Sequence, residues 1–106
     1  MAREFRSSSR VPLELPVHVR WRTRTGKYRQ TEGMTGNISG NGVFLSIRPR
    51  LGRHTPITFR LELPVEVTKA PVILLGEGRI VRHSGPREVP GVAAVIDSYE
   101  LQPAGA

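Results

Sequence analysis

The sequence predicts a small all-β domain, a barrel or sandwich of about six antiparallel strands. Three observations carry this. Short segments alternate apolar and polar residues at the period of a half-buried strand, glycine- and proline-rich turn signals separate them, and no stretch repeats at 3.6 residues. At 106 residues the chain has material for one modest core. The first strand is read from "LELPVHVRW", where Leu13, Leu15, Val17, Val19 and Trp21 alternate with polar positions. "RTRTGKYRQ" turns around Gly26 and leads into a polar strand over Tyr28 to Met34. After "GNISGNGVF", whose Asn41-Gly42 pair suits a two-residue turn with positive φ at both positions, "GVFLSI" is a short β-branched and aromatic strand. "RPRLGRHTP" is a loop, and "ITFRLELP" follows with Ile57, Phe59, Leu61 and Leu63 on one face until Pro64 ends it. "VILLGEGRIVRH", broken by Gly76 and Gly78, and "VPGVAAVID" complete the set. The tail "SYELQPAGA" is too short and too rich in small residues for a stable helix.

Composition narrows the function classes. No apolar run approaches the ~18 residues of a membrane span, which implies no membrane partner, and "MAREFRSSSR" leads into an interrupted segment unlike a secretory signal. The absence of cysteine fits a reducing cytoplasm. The net charge is +7, and residues 1–29 carry +6 of it. Positive charge so concentrated raises the local density of anionic partners, from nucleic acids to small phosphates.

The chain offers little for catalysis. His18, His54 and His83 are scattered, and no spacing suits a metal. Glu62 and Glu66 straddle Pro64 without a nucleophile beside them, and the segment from Gly36 to Gly42 lacks the lysine of a phosphate-cradling loop. The expectation is a protein that is not an enzyme, with no metal and no cofactor.

A binding function fits better. In "FRSSSRVP", Arg6 and Arg10 flank three serines, and two guanidiniums on such an arm can form forked hydrogen bonds with phosphate oxygens or with the O6 and N7 acceptors of guanine. The same spacing recurs at Arg20 and Arg24, where strand geometry predicts one shared, solvated face. Taken together, "RSSSR" before the strand "VPLELPVHVRW", "NISGNG" about one hairpin later and "GEGRIVR" in the penultimate strand resemble a PilZ domain. The resemblance runs from Arg6 to about Asp97 and includes both family signatures, an Arg-x-x-x-Arg arm and an Asp/Asn-x-Ser-x-x-Gly loop.

The resemblance implies a six-stranded antiparallel β-barrel with a short or absent C-terminal helix. Its parts would be a flexible basic arm over 1–10, the barrel over 11–98 and a tail over 99–106. It implies a cytoplasmic, bacterial, non-catalytic receptor for cyclic di-GMP, signalling in trans to a partner protein as a monomer or weak homo-oligomer. Arg6 and Arg10 would take the phosphates and the Hoogsteen edge of a guanine, Asn37 and Ser39 its other polar edges, and Gly42 would leave room for the ligand. Arg82 stands where many family members have a further basic or aromatic contact. Asn37 replaces the commoner aspartate, and an amide offers one carbonyl acceptor where a carboxylate accepts twice. Two alternatives stay open: a PilZ-like adaptor that binds no nucleotide, and a small-barrel nucleic-acid binder. The dispersal of Phe5, Trp21, Tyr28, Phe44, Phe59 and Tyr99 argues against the second.

Overall fold

The structure is a computed structural model that describes residues 14–39 and 41–104. Six strands form: β1 (Pro16–Arg22), β2 (Tyr28–Ile38), β3 (Gly42–Ser46), β4 (Pro56–Leu63), β5 (Val72–His83) and β6 (Val92–Pro103). They close into a barrel in the order β1-β2-β3-β6-β5-β4, every neighbour antiparallel. The one helix among the described residues is a four-residue turn, α1 (Val65–Thr68), which follows Pro64 where β4 stops.

Alternation in the sequence becomes the inside and outside of the barrel. Val17, Val19 and Trp21 of β1 point inward beside Ile57, Phe59 and Leu61 of β4, and the register pairs Val19 with Phe59. Val43, Leu45, Ile80, Val92 and Ala94 close the core from the other strands. Burying each large side chain stabilises the fold by roughly 1.5–3 kcal/mol relative to exposure.

Three sequence expectations are corrected. β2 does not stop near Met34 but runs on to Ile38, because its second half pairs with β3 after its first half has paired with β1. β6 does not end near residue 98. It continues to Pro103, since Leu74 pairs with Leu101 and Val72 with Pro103, and the ladder along β5 absorbs most of the expected tail. Nor do Asn41 and Gly42 form a turn with positive φ: neither has one, Gly42 already opens β3, and the Ser39 amide donates to the Gly42 carbonyl at 2.9 Å. The reversal therefore lies between Ser39 and Gly42, one residue earlier than the sequence suggested.

Alternating strand direction places the β1–β2, β3–β4 and β5–β6 connections at one end of the barrel and the β2–β3 and β4–β5 connections at the other.

Candidate functional site: a cleft between two bulges

Asn37 reaches the surface because β2 breaks its alternation. Thr35 pairs with Leu45 and Ile38 with Val43, so β2 uses two residues, Gly36 and Asn37, where β3 uses only Phe44. Thr35 is buried and Ile38 packs on the core, leaving the two residues between them to face outward. In a regular strand Asn37 would point inward; the bulge re-aims it. Gly36 permits this, since a Cβ there would lie 2.9 Å from Cδ2 of the Phe44 ring. The Asn37 amide makes no hydrogen bond among the described residues.

Backbone bonds hold the adjoining loop on both sides. The Ser39 amide and hydroxyl both donate to the Gly42 carbonyl, at 2.9 and 3.4 Å, and the Ile96 amide of β6 donates to the Asn41 carbonyl at 2.8 Å. With its ordinary φ, Gly42 contributes space instead of a special backbone shape: a Cβ would sit 3.5 Å from the Ala94 carbonyl oxygen and from Ser39 Oγ.

Across the cleft, β5 carries a matching irregularity. Ile80 pairs with Ala94 and Arg82 with Ala93, so Val81 is the extra residue. Ile80 is buried while Val81 and Arg82 are both exposed. Arg82 donates from Nη1 and Nη2 to the Glu88 carboxylate at 3.0 and 3.3 Å, and from Nη1 to the His83 carbonyl at 3.1 Å. The hydrogen bonds and charge of Glu88 raise the Arg82 pKa above its ordinary value, so Arg82 is a permanent cation.

Between the bulges lies an open cleft of about 890 Å³. Asn37, Ser39, Gly42 and Arg82 all line it, with Phe44, Val81, Val89 and Ala93 as apolar surface and Glu14, Arg87 and Glu88 as further charges. That size and mixture suit a small polar ligand with a flat ring. Arg87, Glu88 and the Phe44 surface escaped the sequence reading: Phe44 looked like one more strand residue, and only the barrel brings the β5–β6 connection to β3. A second concavity, about 570 Å³, lies on the outer wall near Arg20, Phe59 and Tyr99 and holds none of the motif residues.

Arg6 and Arg10 lie outside the described residues. What is described is the anchor just downstream of them. The Leu15 amide donates to Thr35 Oγ1 at 2.9 Å and the Thr35 amide to the Leu15 carbonyl at 2.8 Å, with Thr35 1% exposed. Thr35 stands two positions before Asn37 on β2, and Glu14, next to the anchored Leu15, therefore enters at the rim of the cleft.

Two of the three histidines have side-chain partners. His18 Nε2 is 3.0 Å from Gln30 Oε1 and His83 Nε2 is 2.8 Å from the Leu51 carbonyl, while His54 is an exposed residue at φ 72°. No group of three or more His, Cys, Asp or Glu among the described residues could hold a metal.

Scans against protein-family models and curated proteins find no match. Among solved structures, the chain is similar to the PilZ domain of CeSA from a cellulose-synthesizing bacterium, at 26% identity and a TM-score of 0.51 over 81% of this chain and 78% of that one. This likeness supports the chain as a member of the PilZ family. Its closed six-stranded barrel is the PilZ architecture, and PilZ domains are generally non-catalytic receptors. In this PilZ-like barrel the Asn-x-Ser-x-x-Gly motif is a strand bulge followed by a tight reversal, both facing one cleft.

Proposed function

We propose that this PilZ-like domain is a non-catalytic, cytoplasmic receptor for cyclic di-GMP that signals in trans to a partner protein. The observation that carries the reading is the Asn37 bulge: it turns an uncommitted amide into a cleft shared with Ser39, Gly42 and Arg82. The N1–H and N2–H groups of a guanine edge need an acceptor, and the Asn37 amide offers its carbonyl oxygen. The apolar surface at Phe44 and Ala93 suits the face of a base, and Arg82 one of the two phosphates.

Charge then assigns a task to the arm. The described cleft sets Arg82 and Arg87 against Glu14 and Glu88, leaving no surplus for a dianion. Arg6 and Arg10 supply it. Arg10 stands five residues before the anchored Leu15, within roughly 18 Å of extended chain. The nucleotide is a ligand and not a cofactor, and the chain needs neither metal nor catalytic group for this task.

The adaptor reading has one observation in its favour: Arg82 is already paired with Glu88. Isothermal titration with cyclic di-GMP, beside cyclic di-AMP and GTP at physiological salt, separates the two. Selective binding at micromolar or tighter affinity, about −8 kcal/mol, supports the receptor. No heat, with an unchanged melting temperature at high ligand, transfers the function to the adaptor.

A further inference from the structure

The strongest feature outside the cleft is the charge at one end of the barrel. Between residues 15 and 61 the sequence has nine Lys and Arg but one acidic residue, Glu32. The fold gathers most of these cations. Arg22, Arg24, Lys27 and Arg29 belong to the β1–β2 hairpin, and Arg48, Arg50 and Arg53 to the β3–β4 connection, which projects from the same end. Ile57 pairs with Trp21, so the β3–β4 segment enters its strand beside the end of β1. All seven cations are exposed, and none forms an ion pair among the described residues.

Both supports are tied by backbone hydrogen bonds. The hairpin closes through Thr23 N to Lys27 O at 2.7 Å and Gly26 N to Thr23 O at 3.0 Å, with Gly26 at φ 90°. Arg24 thus sits in the turn and not on a strand face shared with Arg20, as the spacing alone suggested. The β3–β4 segment is held by buried Ile47 and Leu51 and by the exchange of His54 N to Ile80 O at 2.7 Å and Ile80 N to Thr55 O at 3.0 Å. Such supports keep the cations within one patch, and like charges repel until an anion neutralises them.

The exposed aromatic at this end is Tyr28, 60% accessible. The Arg20 guanidinium already lies 4.6 Å from its ring centroid and the Arg22 guanidinium 5.8 Å. A tyrosine so occupied is a poor stacking platform for bases, while the stacked guanidiniums keep their N–H edges for oxyanions. Tyrosine is also an amphipathic ring suited to the headgroup level of a bilayer.

We propose that this end of the barrel docks on an anionic membrane surface, the Arg and Lys side chains reading lipid phosphates without any segment spanning the bilayer. No helix among the described residues is long and apolar enough to cross, and the docking is peripheral and electrostatic. It revises the expectation of no membrane partner, which followed from the lack of a span and is silent on surface contact. The Asn37 side of the cleft is nine residues along β2 from Tyr28, about 30 Å, whereas its Arg87 and Glu88 side belongs to the β5–β6 connection at the docked end.

The test is co-sedimentation of the full chain with vesicles of one part phosphatidylglycerol to two parts phosphatidylcholine, beside pure phosphatidylcholine, at physiological salt. Binding confined to the anionic vesicles is expected. The triple variant Arg22→Gln, Arg24→Gln, Lys27→Gln should weaken it by about 100-fold, at roughly fivefold per cation. A control removing Arg60 and Lys69, outside both loops, should weaken it much less per charge. Equal binding to neutral vesicles, or an equal loss per charge in the control, overturns the proposal. So does a single-stranded DNA oligomer that binds more tightly than the vesicles at the same salt and displaces them, since the recognised polyanion is then a nucleic acid. Each variant's melting temperature, expected within a few degrees of the parent's, confirms that folding is not the cause.

Discussion

The two ends of strand β2 follow opposite rules. Its first half pairs with β1 in unbroken register from Tyr28 opposite Arg22 to Met34 opposite Pro16, and its hairpin is a short loop with glycine at positive φ. Its second half pairs with β3 through a bulge, and its reversal has no positive φ at either residue of the Asn-Gly pair. The regular end presents the alternation that pairing requires and carries a broad, unspecific charge. The irregular end gives up one residue of pairing and gains a directed amide. Specific recognition needs groups aimed at one point, and a bulge is the cheapest way for a strand to place two successive residues on one face.

Ligand affinity offers the largest break in this comparison. Arg6→Ala or Arg10→Ala should lose about 1.5–3 kcal/mol of cyclic di-GMP binding, roughly 10- to 150-fold by titration calorimetry, with an unchanged melting temperature. Unaltered affinity in both would leave the bulged end without its arm and end the receptor model in this form.

Filling the bulge comes next. Gly36→Val drives a side chain into Phe44 and should cost about 1–3 kcal/mol in denaturant unfolding, together with ligand binding. A variant of wild-type stability would show that Phe44 moves freely and that the bulge does not depend on glycine.

The two turns are separated by Gly26→Ala and Gly42→Ala. At φ 90° the first should cost about 1–2 kcal/mol of stability and spare affinity. The second, where a Cβ meets only ordinary contacts, should change stability by less than about 0.5 kcal/mol and weaken the ligand instead. A reversed pattern would mean that the reversal between Ser39 and Gly42 needs glycine for its backbone after all.

The smallest change sharpens the role of Asn37. Asn37→Asp replaces one carbonyl acceptor by a carboxylate and should tighten cyclic di-GMP by about fivefold, near 1 kcal/mol. Weaker binding would assign the Asn37 amide a donor role, which a carboxylate cannot fill.

Much of the fold was legible because a barrel strand buries every second residue. Val17, Val19 and Trp21, and Ile57, Phe59 and Leu61, declare their inward face by spacing alone. The motif residues were legible as residue types, and four of the six line one cleft; Arg6 and Arg10 lie outside the described residues. Strand ends were not legible. Nothing local distinguishes Glu100 or Gln102 from a polar tail; pairing with Leu75 and Ile73 makes them strand.

By itself the sequence determined the class of fold, the inward faces and the lopsided charge, since alternation and composition act locally and survive without knowledge of neighbours. Tertiary structure decided where β2 bulges, which face Asn37 takes, that Arg82 meets Glu88 across the β5–β6 connection, and that two arginine-bearing segments distant in sequence share one end of the barrel. These depend on register between strands, which is set by how all six fit around one core, and no segment carries that information alone.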